Sequence, residues 1–309
     1  MSPIVACSDS EARFSGDPAQ LRFSVVVPFL DESQWLPETL AALDRQTFPT
    51  ASYELIFVDN GSSDDSAEIV GRHPRIRLLH EPRRDPYLAR NRGIDAARGE
   101  YVVFLDADCP PAEDWLAELS RSIDEAPADV LIGALLHPDH SPLMLRCYEA
   151  YYNQKLAWLI ANEKTANYFA HAGNMAVRRR VFAEVGHFEP MPIVGDTEII
   201  HRLLDHRSTA VVRFVPRARV VHAEVDSVRV LLSKLVAIGG YTQSLLPRGG
   251  YRPISLLDKL RVTANTARRT PFGPLGIVPL GIMLGLGWGA YLYGRLCRRW
   301  AVSAIHRPE

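Results

Sequence analysis

Two aspartates stand one residue apart, Asp106 and Asp108, where the apolar run YVVFL (101–105) ends. Residues i and i+2 of an extended chain point to the same side, so the two carboxylates are expected to project together beyond the strand. Anions held this close repel unless a proton or a cation sits between them. A divalent metal is the natural neutraliser, and hard oxygen ligands suit Mg2+ or Mn2+, which usually also bind substrate phosphates. Taken alone, such a pair is equally well a solvated loop. Two further acidic clusters favour chemistry. Asp31 and Glu32 follow RFSVVVPF (22–29), and Asp59 ends YELIFVD (53–59), with Asp64 and Asp65 just beyond. Asp59 suits a ribose or nucleobase contact, or else a turn beside Asn60 and Gly61. Arg83, Arg84, Arg90 and Arg92 lie nearby in sequence. Arginine pairs bidentately with phosphate, although at least two of them are expected on a solvated helix face.

Positioning these groups requires a regular scaffold. Apolar runs predict strands over 22–29, 53–59, 75–80, 101–106 and 129–136. Helices are expected over 33–46 with Ser33 as N-cap, over 64–72, over 86–99 between Pro86 and Gly99, and over 112–125. Strands alternating with helices imply an α/β fold with a mostly parallel sheet. In such sheets ligands bind beyond the carboxyl ends of the strands, and all three acidic clusters fall there. The second half reads as a helix over 143–163 and a turn, strand and helix over 171–182. An acidic helix start follows at VGDTEIIHRLL (194–204), then two short strands in TAVVRFVP and ARVVHAEV, then helices over 227–246 and 254–268.

The totals exclude little. The chain has 309 residues, 47% hydrophobic and 23% charged, as ordinary globular proteins do. A net charge of −1 gives no ground for nucleic-acid binding. Cys7, Cys109, Cys147 and Cys297 are scattered without a CxxC, so neither a zinc site nor a disulfide framework is expected and a reducing compartment fits best. The start, MSPIVACSDSEARF, lacks the basic opening and apolar core of a secretory signal. Residues 270–294 carry no charge. About 25 residues at 1.5 Å each extend roughly 37 Å, enough to cross a bilayer core. Gly281, Gly285 and Gly289 recur every four residues, a spacing that lets helices approach closely in a membrane. Arginines flank both sides and set no orientation, and Pro279 argues against a simple straight span. Membrane association through 271–294 is expected, as a bent span, a re-entrant hairpin or an interfacial helix.

Five stretches occur in order: SVVVPFLDE, VDNGSSDDS, LARNRGIDAARGEYVVFLDADCPP, HAGNMAVRRRVFAEVGHF and VGDTEIIHRL. Over residues 22 to 245 the chain resembles a family 2 glycosyltransferase with the GT-A fold. The resemblance implies a nucleotide-sugar donor, most commonly a UDP-sugar, and Mn2+ or Mg2+. It places Pro28 and Glu32 in the first nucleotide-contacting loop, Asp59 on the nucleoside, and Arg90 and Asn91 near the donor. Asp106 and Asp108 match the metal motif, with His222 as a further metal ligand. Asp196 falls where the family carries its catalytic base; its plainer role is to cap the helix TEIIHRLL. Gly173 and Asn174 line the acceptor side, and Trp115 either contacts a sugar or simply packs. The implied organisation is a lead-in (1–20), a nucleotide-sugar half (21–136), an acceptor half (137–246) and a C-terminal helical segment (247–309).

The chain departs from the pattern in places. The first loop reads Leu30, Asp31, Glu32 instead of a YNE-like triplet, and Asn60 replaces the second Asp of VDDGS. Gly195 precedes Asp196 where a Glu is usual, leaving Glu198 as the nearby substitute. The QxxRW of processive members is absent, and LCRRW (296–300) lacks the Gln. The resemblance therefore implies a non-processive, inverting transfer to a hydroxyl of a glycan or glycolipid, on the cytoplasmic face of a membrane. Rival readings are a nucleotidyltransferase, a phosphotransferase with Asp106 as nucleophile, and a non-catalytic nucleotide-sugar-binding membrane protein. No GxGxxG follows the first strand, which disfavours a Rossmann dehydrogenase.

Overall fold

The structure is a computed structural model that describes residues 21–191, 193–245, 254–269 and 273–297. The lead-in 1–20, the start of the apolar segment at 270–272 and the end of LCRRW lie outside the described residues. Seven strands form one sheet: β1 (Phe23–Phe29), β2 (Tyr53–Asp59), β3 (Ile76–His80), β4 (Tyr101–Leu105), β5 (Val130–Leu136), β6 (Asn174–Arg178) and β7 (Val212–Val221). Their order is β3-β2-β1-β4-β6-β5-β7. The helices are α1 (Leu36–Asp44), α2 (Ser66–Gly71), α3 (Pro86–Ala96), α4 (Trp115–Glu125), α5 (Leu143–Ala161), α6 (Arg180–Val185), α7 (Gly195–His206), α8 (Val228–Leu245), α9 (Leu256–Arg269) and α10 (Ile277–Leu296).

The strands are continuous apolar runs because helices cover both sheet faces. Alternate residues serve opposite cores, as the pleat requires. Phe23, Val25 and Val27 of β1 join one apolar cluster with Leu36 of α1 and Leu119 of α4. Val26 joins the other, with Ala89 of α3, Leu156 of α5 and Ile200 of α7. β1, β2, β3 and β4 pair in parallel, so the chain leaves them on one edge.

Several expectations change. β6 enters antiparallel between β4 and β5. The two short strands expected near 209–225 are one strand, β7, paired to β5 with a register shift between Gly133 and Ala134. Pro216 sits within it, tolerated because β7 is an edge strand. Ser33 does not cap α1: its backbone N–H donates to Asp64 Oδ2 at 3.0 Å, and the helix begins at Leu36 with Trp35 before it. Asp85 caps α3 by accepting from the Tyr87 and Leu88 N–H groups at 2.8 and 3.1 Å. That helix ends at Ala96, because Gly99 N–H is engaged with Ser24 Oγ at 2.8 Å.

Asn174, expected on the acceptor side, and Trp115, left open between a sugar contact and packing, are scaffold. Both are fully buried. Trp115 Nε1 donates to Asn174 Oδ1 at 2.8 Å, and Asn174 Nδ2 donates to the Ala134 and Ala218 carbonyls, each at 2.9 Å. One side chain thus ties β6 to β5, β7 and α4.

Among the described residues, α10 is the one helix long and apolar enough to cross a membrane, with a mean hydropathy of 1.4. Its glycine stripe makes no close approach within the described residues. A Cβ at Gly281, Gly285 or Gly289 would meet nothing within 4 Å. Gly294 instead lies against the Val236 backbone, and Gly239 of α8 against Tyr291. Pro279 falls in the first turn of α10, where its missing N–H costs no helical bond, so it does not bend the helix.

Replacing Trp115 with Phe keeps the ring but strands Asn174 Oδ1 in the core. An unpaired buried acceptor costs about 1–3 kcal/mol. Trp115→Phe is therefore expected to lose stability of that order in urea unfolding, and an unchanged midpoint would show the bond to be unimportant.

Candidate active site

Two loops are stitched together beyond β1 and β2. Asp31 adopts a left-handed φ of 55°, a conformation that Asn and Asp tolerate better than most residues. Its Oδ1 accepts from the Ser63 N–H at 2.6 Å. The Glu32 N–H donates to Ser66 Oγ at 2.8 Å. Asp59, almost buried, accepts from the Ser62 N–H at 2.9 Å and pairs with His80 Nδ1 at 3.1 Å. Pro28 is buried inside β1, opposite Val58, where it supports this edge. The Asn60 substitution has a physical reason. Its Nδ2 donates to the Glu81 carbonyl at 3.0 Å and to that of Arg83, which a carboxylate cannot do. Arg83 and Arg84 are exposed, pairing with Glu81 and with the Gly61 carbonyl.

At the end of β4 the two aspartates part company. Asp106 Oδ1 accepts from Arg90 Nη2 at 2.5 Å. Arg90 is buried and also lies 5.1 Å over the Tyr87 ring. Asp108 is buried and pairs with His222 Nε2 at 3.1 Å. Burial pushes Asp108 upward, but His222 together with Lys234 and the Cys109 bond brings the carboxyl down to about 2. The Ala223 N–H donates to the Asp108 carbonyl at 2.9 Å, fastening the turn after β7 to the metal motif. Glu224 follows in that turn and takes the Lys234 ammonium at 2.6 Å. Glu32 lies near this group. Burial first, and then Asp108, Glu224 and Asp106, drive its carboxyl up to about 8.

This donor set fits a hard divalent cation. Ligand atoms of Asp108, Cys109 and His222 lie within 4.8 Å of one another. Burial, followed by Asp108, raises the Cys109 thiol well above its ordinary value, so it stays protonated and leaves oxygen and imidazole as the ligands. The carboxylates around it repel without a cation, and Mn2+ or Mg2+ suits such ligands.

Asp196 lies across Arg90 from Asp106. Its Oδ2 accepts from the Ala172 N–H at 2.9 Å and its Oδ1 from the Thr197 N–H at 2.7 Å. Burial raises its carboxyl to about 6, against the pull of those bonds and of Arg90. It does not cap α7. Val194 precedes the helix at a left-handed φ of 67°, costly for a β-branched residue and a sign of local strain. Gly195 is required there. A Cβ would come within 2.8 Å of Tyr87 Cε1, and the Gly195 N–H donates to Tyr87 Oη at 2.9 Å. Tyr87 fills the room a Glu would need. Glu198 does not substitute for it, because it is buried and paired with Arg202 at 3.0 Å. Gly173 has a similar constraint, since a Cβ would press to 2.8 Å from Asp106 Oδ2. Asn91 spends both ends of its amide on the Phe188 backbone, at 2.8 and 3.0 Å. It positions the segment before α7 and does not face the cleft through that amide.

Sequence reasoning missed Tyr87, Glu224 and Lys234. Glu224 lies two residues beyond His222 and was legible as a second polar group on one strand end. Lys234 carried no motif signal, because only the packing of α8 brings it to the carboxylates.

The sequence model described as Glycosyl transferase family 2 matches residues 24–186. The glycosyltransferase AglE of Haloferax volcanii is 30% identical over 179 residues, 56% of this chain and 57% of the relative. Matches to AglE, GlyG and TarS span 57%, 40% and 20% of those proteins. The mannosyltransferase PcManGT of Pyrobaculum calidifontis, in complex with GDP-Man and Mn2+, superposes with a TM-score of 0.60 at 19% identity, over 95% of this chain and 89% of the other. TarS 1–349 of S. aureus with UDP-GlcNAc gives 0.54 at 17% identity, over 91% and 92%. At these identities the structural likeness speaks for the GT-A architecture. The family match covers more than half of the chain and includes the strands that lead into Asp59, Asp106 and Asp108, so the chain belongs to glycosyl transferase family 2.

Proposed function

We propose that this chain is a glycosyltransferase that transfers a sugar, with inversion, from a nucleoside-diphosphate sugar to a hydroxyl of a glycan or glycolipid, and that it depends on Mn2+ or Mg2+. The observation that carries this reading is Asp196. It is a partly buried carboxylate raised to about 6, oriented by two backbone N–H bonds and separated from Asp106 by the Arg90 guanidinium. Such a group is a competent base near neutral pH.

In the proposed reaction Asp196 takes the proton of the acceptor hydroxyl. The oxygen attacks the anomeric carbon as the bond to the diphosphate breaks, and a single displacement inverts that carbon. The loops built on Asp59, Glu32 and Ser62 hold the nucleoside. Arg90 keeps its charge beside Asp106 and faces the departing diphosphate; Lys234 adds a second cation from α8. Asp108 and His222, with Asp106, would hold the metal, which supplies Lewis-acid stabilisation of the leaving group when bound. The solved relatives named above bind GDP-Man and UDP-GlcNAc, so both donor classes are candidates, with a UDP-sugar the first choice. Membrane attachment through residues 271–294 is supported by the outward apolar face of α10, and the cytoplasmic face is proposed because nucleotide sugars are made there. Trp288 is 60% and Leu296 85% exposed on α10, and Leu275 just before it is 87% exposed.

Nucleoside diphosphate release from a panel of UDP- and GDP-sugars, with Mn2+, Mg2+ or EDTA, tests the proposal. Release from one donor that EDTA abolishes is expected. Release of pyrophosphate instead would make the chain a nucleotidyltransferase, and donor binding without turnover under all acceptors would make it a binding module. Asp196→Asn is expected to lower kcat by about 10²–10⁴-fold while leaving nucleoside diphosphate affinity unchanged. Because the base must be ionised, turnover is expected to be retained above pH 6 and to fall as pH drops through about 6. A flat profile across that range would exclude Asp196 as the base.

A further inference from the structure

Strand β5 loses one neighbour before it ends. β6 pairs with it over Val130–Ile132, whereas β7 follows it to Leu136. With β6 gone, the backbone groups of Leu135 and His137 need other partners. Helix α5 supplies them from side chains. Asn153 Oδ1 accepts from the Leu135 N–H at 3.2 Å, and its Nδ2 donates to the Leu135 carbonyl at 2.8 Å. Glu149, one helical turn earlier and so on the same face of α5, accepts from the His137 N–H through Oε2 at 2.5 Å. The His137 Nδ1 stands 3.6 Å from that oxygen, beyond hydrogen-bond length, so it is the backbone N–H that the carboxylate engages.

Asn153 replaces the missing strand, and Glu149 does more. The peptide whose N–H it takes, Leu136–His137, offers its carbonyl to the His222 N–H at 2.8 Å. One peptide unit is thus gripped at both ends, by a carboxylate of α5 and by the backbone of His222. A carboxylate on the N–H end polarises the peptide and makes its carbonyl a better acceptor. The His222 carbonyl is held as well, by the Val225 N–H at 3.1 Å. From that fixed backbone the imidazole reaches Asp108 Oδ2 at 3.1 Å. The carboxyl is kept in place at a cost. Burial lifts Glu149 to about 7, against the pull of the His137 bond and of Arg146, with Asp139 adding to the rise.

We propose that Glu149 is a positioning residue for His222: through the Leu136–His137 peptide it holds the imidazole where, with Asp108, it can take a divalent cation. This inference rests on the reading of His222 as a metal ligand in the proposed function. A ligand set keeps its affinity only when its members are held close to their productive geometry, and groups that stand behind metal ligands typically change metal affinity by about 10–100-fold when removed.

The test titrates Mn2+ alone into the full chain, without nucleotide, and reads the free ion from its electron paramagnetic resonance signal. Glu149→Ala is expected to weaken Mn2+ binding about tenfold. Glu149→Gln keeps an acceptor oxygen for the His137 N–H and is expected to stay within about twofold of wild type. Asn153→Ala frees Leu135 and not the peptide behind His222, so it is expected to bind Mn2+ like wild type; this separates positioning from a general loss of stability. In the His222→Ala background, Glu149→Ala is expected to change nothing further, because the two residues act through one path. Unchanged affinity in Glu149→Ala, an equal loss in Asn153→Ala, or the same loss persisting without His222 would overturn the inference. His222→Ala binding Mn2+ as wild type does would instead contradict the reading of His222 itself, and the inference would fall with it. Should Glu149→Ala not fold, Glu149→Asp, whose carboxylate is one methylene shorter, carries the same expectation of weaker binding.

Discussion

Glu32, Asp106, Asp108, Asp196 and Glu224 crowd the carboxyl edge of one sheet, against Arg90, Lys234 and the His222 imidazole. Carboxylates this close raise one another's free energy unless cations stand among them. The chain answers this locally for three of them, with one partner each. Arg90 holds Asp106, His222 holds Asp108 and Lys234 holds Glu224. Glu32 has no such partner among the described residues, and burial first, with Asp108, Glu224 and Asp106 adding to it, holds its carboxyl up at about 8. A site that resolves its internal repulsion only in part is prepared for a further cation, and in the proposed reaction Arg90 and Lys234 are already placed for a diphosphate that arrives with it.

The scaffold makes this concentration possible. Parallel strands β1, β2 and β4 end together, so their loops meet at one edge. Asn174, buried and fully hydrogen-bonded, locks the antiparallel insertion of β6 beside β4, which brings the 171–173 turn under Asp106. Tyr87 then fixes the start of α7. Its ring occupies the space in front of Gly195, its hydroxyl takes the Gly195 N–H, and Asp196 is set where it meets Ala172 and Arg90. The strained Val194 is the local cost of that placement.

Much of this was legible in the residues, and the exceptions have physical reasons. Strands β2 and β4 could be read closely because continuous apolar runs end sharply at Asp59 and at Asp106. Strand direction leaves no trace in such a pattern, so the reversal of β6 was invisible. Pro216 looked like a break because an edge strand that tolerates proline resembles two strands in one dimension. The motif places Asn174 on the acceptor side and leaves Trp115 open between sugar contact and packing; each satisfies the other in the core. The departures at Asn60 and Gly195 were visible, but their causes were not. Both depend on contacts with distant segments: Asn60 with the 81–83 loop and Gly195 with Tyr87. The glycine stripe of α10 had a helix-packing spacing, yet Gly239 and Gly294 make the close approaches.

The central claim is that the carboxylate edge is completed by a divalent ion held by Asp108 and His222. Pulsed electron paramagnetic resonance of Mn2+ bound to the full chain measures this directly, through nitrogen hyperfine coupling. The account predicts coupling to one imidazole nitrogen in the wild-type protein and its disappearance in His222→Ala, with Mn2+ bound more weakly. Bound Mn2+ with no nitrogen coupling, or the same coupling in His222→Ala, would contradict it.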